Sequence, residues 1–178
     1  DSWQEGYRTI LERWDPAVGF TLFDMDLDGI PELILSDFYN ETGEFHFGRD
    51  EYWDQVDYHI YTYISEKNQV RMIGLIETNY FDNKIPCVNP EEDGIFAVSC
   101  NMGKASNNYL QYTVENHELV DLGMYSMIQE VNADGKYSYI YKKGEEEITE
   151  EQFREAGDTF SDSLIFYENN EAGYEEAL

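Results

Sequence analysis

The clearest chemical signal in this 178-residue sequence is a short acidic loop at residues 24–32. Asp24, Asp26 and Asp28 alternate with apolar residues, Gly29 follows the third Asp, and Glu32 comes shortly after. Calcium binds about six to eight hard oxygen ligands at roughly 2.3–2.6 Å. A tight loop can direct alternate carboxylates toward one point, and Gly29 permits the sharp turn that this requires. The spacing therefore predicts a calcium site.

The predicted ligand set combines side-chain and backbone oxygens of this loop. Side-chain oxygens come from Asp24, Asp26 and Asp28, the backbone carbonyl comes from Ile30, and Glu32 closes the shell either directly or through a water. The loop differs from an EF-hand because Leu35 stands where a bidentate Glu would close the shell. Magnesium is a weaker candidate because it prefers few protein ligands and many waters. The alternative is an acidic turn that binds no ion, but its converging carboxylates would repel one another strongly.

The apolar segments on both sides of the loop are predicted to be the strands that position it. Residues 19–23 and 32–35 flank the acidic residues, so we expect a strand–loop–strand unit whose two strands the ion staples together. A helix is predicted over residues 2–14, because Trp3, Tyr7, Ile10, Leu11 and Trp14 share one helical face. Ser2 and Glu5 form a capping box at its start.

The remainder of the chain predicts an α+β fold that is mainly antiparallel β. Alternating patterns and turn signals over residues 56–148 indicate a series of hairpins, with Thr62 as the weak member of one apolar face. Thr149 begins a short C-terminal helix within an acidic end, residues 149–178. We therefore expect one domain over residues 1–178, a twisted or curled antiparallel sheet with a helix near each end.

Residues 20–35 resemble a recurring segment in secreted proteins and lipoproteins of Gram-positive bacteria, in which an apolar strand leads into Asp-x-Asp-x-Asp-Gly-x-Pro-Glu-Leu. The loop is also similar to those of integrin-type repeats and dockerin-like modules. Residues 60–68 resemble the Tyr-rich hairpin of such proteins, and residues 139–153 their late strand, Gly turn and helix. Most of these proteins are uncharacterised. The resemblance implies calcium binding and an extracytoplasmic location, secreted or lipid-anchored, and implies no known catalysis.

Charge and hydropathy exclude several classes of partner. With 11 Lys and Arg against 38 Asp and Glu, the formal net charge is −27. Such a surface repels the phosphates of nucleic acids and anionic lipids. No apolar run approaches the roughly 18 residues of a membrane span. The sequence begins at Asp1 without a leader, which fits either a cytoplasmic protein or a secreted one whose leader has been removed. We expect a monomer.

Cys87 and Cys100 flank a turn signal at residues 90–94. A disulfide joining two antiparallel segments is geometrically feasible there, and a secreted protein would favour it. The alternative is a pair of reduced, partly buried thiols.

Aromatic residues crowd the region after the acidic loop. Six of them would form a platform for a glycan or a peptide if their rings were exposed: Tyr39, Phe45, Phe47, Tyr52, Trp53 and Tyr58. The simpler interpretation is that the rings pack in the core of a β structure, where Tyr and Phe are common. A glycan- or peptide-binding module is thus the alternative to a purely structural calcium domain.

No catalytic motif is present, so we predict that the protein is not an enzyme. The three His residues share no ligand spacing, and the sequence lacks His-Glu-x-x-His, Cys-x-x-Cys and Gly-x-Ser-x-Gly. A hydrolase acting on a polymer is the second alternative, and it would require a cleft with convergent polar groups away from the loop.

Overall fold

The computed structural model describes residues 2–14, 18–36, 57–78, 82–89, 91, 93–101 and 107–178. The chain divides into two compact units. The first comprises Asp1–Asn79, Val114–Val120 and Leu164–Leu178, and the second comprises Tyr80–Thr113 and Asp121–Ser163.

The first unit contains a five-stranded antiparallel sheet in the order β12-β1-β2-β3-β4. Its strands are β1 (Gly19–Phe23), β2 (Glu32–Ser36), β3 (Tyr58–Ile64), β4 (Gln69–Ile76) and β12 (Tyr167–Glu168). A short 3-10 turn, Ser65–Lys67, joins β3 to β4 and ends at Asn68 in the left-handed conformation. The described part of this unit also contains two helices, α1 (Trp3–Leu11) and α3 (Glu171–Ala177).

Helix α1 packs its apolar face into the core of the first unit. Tyr7 and Leu11 are fully buried there, and Ser2 caps the helix with the predicted capping box. The sheet contributes Phe20, Leu33, Leu35 and Tyr61, and α3 contributes Tyr174. All five residues of β2 are buried, so this strand is covered on both faces. The strand that follows the acidic loop is therefore anchored in the core.

A second sheet has seven strands in the order β10-β9-β8-β7-β6-β5-β11. The strands are β5 (Asp82–Val88), β6 (Phe96–Asn101), β7 (Asn107–Glu115), β8 (Glu118–Val131), β9 (Tyr137–Lys143), β10 (Glu146–Ile148) and β11 (Asp162–Ser163). Helix α2 (Glu150–Thr159) begins at a capping box formed by Thr149 and Gln152. Its Phe153 contacts the rings of Tyr109 and Tyr141, with centroids 5.8 and 5.2 Å away.

The predicted fold class is confirmed: the structure is α+β and mainly antiparallel β, with helices near both ends of the chain. The strands divide into two sheets. Helix α1 ends at Leu11 instead of residue 14, because the next residues form tighter turns in which Arg13 and Trp14 donate to Ile10 and Leu11. None of the helices in the described part of the chain has the length and apolar character to span a bilayer.

The two cysteines are buried thiols that are not bonded to each other. Cys87 pairs with Ala97 in the β5–β6 register, whereas Cys100 lies three residues further along β6. An odd offset places the two side chains on opposite faces of the sheet, and three residues span about 10 Å. A disulfide requires Cα atoms within about 7 Å. In this register the two cysteines are therefore not positioned to form the disulfide that the sequence allows.

Candidate metal centre

The acidic loop connects two strands that pair up to its edges. Phe23, the last residue of β1, pairs with Glu32, the first residue of β2. The chain must therefore leave the sheet and return to an adjacent position within residues 24–31. Leu27 (φ 60°) and Gly29 (φ 88°) adopt left-handed backbone conformations that make this reversal. The glycine does so without strain, whereas Leu27 adopts a conformation that is unfavourable for a residue with a Cβ.

Hydrogen bonds from the loop's own backbone orient all three aspartates. The N–H of Gly29 donates to Asp24 Oδ2 at 2.9 Å. The N–H of Asp28 donates to Asp26 Oδ1 at 3.1 Å, and that of Ile30 to Asp28 Oδ1 at 2.7 Å. As a result, Asp24, Asp26 and Asp28 each offer a carboxylate oxygen that lies within 4.8 Å of the others. Three of the predicted side-chain ligands are thus brought together.

Two of the three aspartates have features that favour a nearby cation. Asp24 Oδ1 is buried, and no donor in the described residues reaches it. Burial raises the pKa of Asp26, and the nearby carboxylates of Asp28 and Asp24 raise it further. No ion pair found among the described residues involves any of the three. A buried oxygen without a donor, beside two further carboxylates, is a position that a cation would satisfy.

Glu32, the fourth predicted side-chain ligand, does not join this cluster. Its side chain is 1% exposed, and both of its oxygens accept hydrogen bonds. Oε2 accepts from the Met25 N–H at 2.8 Å, and Oε1 accepts from the Thr62 hydroxyl at 2.9 Å. The pKa of Glu32 is raised to about 7, chiefly by burial and in part by the carboxylates of Asp26 and Asp24, while the hydrogen bonds from Met25 and Thr62 act in the opposite direction.

Tyr7 of α1 supports the far end of the loop. Its hydroxyl donates to the Pro31 carbonyl at 2.8 Å, and its ring is fully buried. Burial raises the pKa of this hydroxyl, and the carboxylate of Glu32 raises it further. Helix α1 and strand β3 therefore contact the loop segment from the protein interior, through Tyr7 and through the Thr62–Glu32 hydrogen bond.

Two supporting residues were not predicted from the sequence. The spacing of Tyr7 places it on the apolar face of the helix, and nothing in that spacing indicates a hydrogen bond to the loop. Thr62 carried a usable signal, because it is the polar residue on an otherwise apolar strand face. It is 2% exposed, and a hydroxyl buried to that degree requires a hydrogen-bond partner.

The other predicted site residues have different outcomes. The role of the Ile30 carbonyl stays a prediction. Five residues of the proposed aromatic platform lie outside the described residues: Tyr39, Phe45, Phe47, Tyr52 and Trp53. Tyr58, the sixth, is fully buried in β3, and its ring lies 6.2 Å from that of Phe166. Tyr58 is therefore not available to stack on a ligand.

No family model, curated protein or solved structure matches the chain.

Proposed function

We propose that this chain is a calcium-binding, non-catalytic domain in which the ion has a structural role. The observation that carries the proposal is the convergence of three carboxylate oxygens, one each from Asp24, Asp26 and Asp28, within 4.8 Å of one another. Asp24, Asp26 and Asp28 would hold the ion, and the Ile30 carbonyl would complete the protein's share of the shell. The bound cation would offset carboxylate repulsion and fix the connection between β1 and β2.

Calcium is favoured over magnesium by the number of protein oxygens that the loop directs to one point. Three aspartates and a carbonyl supply more protein ligands than magnesium usually accepts, because magnesium retains several waters. A site of this kind in an extracellular module binds calcium with a Kd of about 10⁻⁴–10⁻³ M. Such an affinity suits the extracytoplasmic location that we propose for the protein, where the ion would be a permanent structural element.

A calcium titration followed by amide NMR tests this function. We expect the amide signals of residues 24–30 to shift saturably, with a Kd of about 10⁻⁴–10⁻³ M. The Gly29 amide is the most direct probe, because it donates to Asp24. The Asp162→Asn variant, which removes an exposed acid of β11, should give the same curve. Two results would contradict the proposal. One is that the loop signals are still shifting at calcium concentrations far above this Kd range, and the other is that acidic residues throughout the chain shift as much as the loop.

A further inference from the structure

The carboxylate of Glu32 is enclosed by protein groups instead of facing the aspartate cluster. Its side chain is 1% exposed, and its two donors belong to Met25 and Thr62, which are themselves 1% and 2% exposed. The hydrogen bonds to these donors measure 2.8 and 2.9 Å. Both oxygens of Glu32 therefore accept hydrogen bonds from buried protein groups, although the sequence pattern predicts that Glu32 closes the ion's shell directly or through a water.

The two donors connect the loop to the centre of the sheet. Met25 lies between Asp24 and Asp26, so the hydrogen bond from its N–H to Glu32 anchors the backbone between the two aspartates. Thr62 lies on β3, where the β2–β3 register that pairs Leu33 with Tyr61 places it beside Glu32. The same carboxylate thus links the start of the loop, the first residue of β2 and a buried residue of β3.

We propose that Glu32 is a positioning residue that holds the Asp24–Asp26 segment from the protein interior and does not coordinate the ion. This inference rests on the proposed calcium-binding function. In many metal sites, residues that do not touch the ion hydrogen-bond to the segments that carry its ligands and so orient those ligands. Glu32 has this position relative to Asp24 and Asp26. Substitution of such outer partners typically weakens metal binding by about 10–100-fold. A negative charge close to the ion also adds to the attraction without direct contact.

The number of waters on a bound lanthanide separates the two roles of Glu32. Terbium luminescence lifetimes, measured in H₂O and in D₂O, report the waters that coordinate the ion at the calcium loop. In Glu32→Ala, we expect terbium affinity to fall by about tenfold or more while the count of bound waters stays that of the wild type. Asp28→Ala is the matched control, because Asp28 is an exposed member of the cluster, and loss of its oxygen should add about one water.

A conservative substitution provides a rescue test. In Glu32→Gln, the amide oxygen can accept from the Met25 N–H while the amide nitrogen donates to the Thr62 hydroxyl. We expect Glu32→Gln to recover part of the affinity that Glu32→Ala loses, with the wild-type water count. The remaining loss reflects the missing charge, so affinity by itself does not distinguish the two roles.

The outcomes separate failure of this inference from failure of the calcium function. An additional water in Glu32→Ala, equal to that in Asp28→Ala, would show that Glu32 is a ligand and would overturn the inference. If terbium does not bind the wild-type loop, the proposed function itself fails. If Glu32→Ala does not fold, Thr62→Val decides: weaker binding with an unchanged water count supports the positioning role, and unchanged binding contradicts it.

Discussion

Calcium at about 10 mM should raise the midpoint of thermal unfolding of the wild-type protein by about 3–10 °C and leave that of Asp24→Asn unchanged. An ion that binds only the folded loop stabilises the protein by about 1.4–2.7 kcal/mol when it is present at 10–100 times its Kd. For a chain of this size, each kcal/mol shifts the midpoint by about 2–4 °C. Asp24→Asn should lose this response because it removes a ligand charge from the centre of the site.

Asp24→Asn is the most informative variant because it removes the charge of a ligand while the loop can keep its hydrogen bonds. The Asn side-chain oxygen can still accept from the Gly29 N–H, which donates to Asp24 Oδ2 at 2.9 Å. The Asn amide nitrogen would then take the place of Asp24 Oδ1, a buried oxygen that accepts no hydrogen bond from the described residues. In a chelator, the variant should unfold at a higher temperature than the wild type, because it removes repulsion from Asp26 and Asp28.

The order of stability of the two proteins should therefore reverse with calcium. In a chelator, Asp24→Asn is the more stable protein, and with calcium the wild type is the more stable one. Differential scanning calorimetry of both proteins measures this directly. Asp162→Asn should respond to calcium as the wild type does, since it removes an acid outside the loop. An Asp24→Asn midpoint that rises with calcium by as much as the wild-type midpoint would contradict the assignment of Asp24 as a ligand.

Gly173→Ala should destabilise the first unit by about 3 kcal/mol, although Ala normally stabilises a helix by about 1 kcal/mol relative to Gly. Gly173 lies in α3, and a Cβ on it would stand 2.0 Å from the backbone oxygen of Glu168. That carbonyl belongs to β12, which pairs with β1 through Gly19 and Phe20. The new Cβ is attached to the α3 backbone, and the atom that it would meet is a backbone oxygen of β12. Neither can rotate away as a side chain could, so α3 must move away from the sheet.

Separation of α3 would also disturb the contacts of Tyr174. This residue is buried, its ring lies 6.0 Å from that of Phe20, and its hydroxyl donates to Asn169 at 2.7 Å. Urea unfolding followed by tyrosine and tryptophan fluorescence measures the loss of stability. Ala172→Gly, at the exposed neighbouring position, should cost no more than about 1 kcal/mol. A Gly173→Ala protein at least as stable as the wild type would show that α3 does not approach β12 this closely.

Local patterns predicted the first half of the fold well. The capping box at Ser2, the strands on each side of the acidic loop and the hairpin that begins at β3 all depend on neighbouring residues. Local periodicity and turn chemistry are sufficient for such elements. The elements that were not predicted depend on distant partners. β12 has only two residues and exists because Gly19 and Phe20 of β1 pair with it. α3 has seven residues and includes Gly173.

The candidate site shows the same division. Alternation of Asp24, Asp26 and Asp28 before a glycine predicted the convergence of their carboxylates, because backbone hydrogen bonds within the loop direct them. The place of Glu32 could not be predicted from its spacing. Its orientation is set by Thr62, which lies 30 residues further along the chain and becomes a neighbour only when β3 pairs with β2. Tyr7 reaches Pro31 for the same reason, through the packing of α1.

A crystal structure of the protein soaked in calcium, with anomalous scattering data, tests the central claim most directly. We expect one anomalous peak at the loop, with oxygens of Asp24, Asp26 and Asp28 at roughly 2.3–2.6 Å from the ion. The carboxylate of Glu32 should remain on Met25 and Thr62. Aspartates that stay uncoordinated while calcium scatters at other acidic surfaces, or at no ordered position, would contradict the claim that this loop is a calcium site.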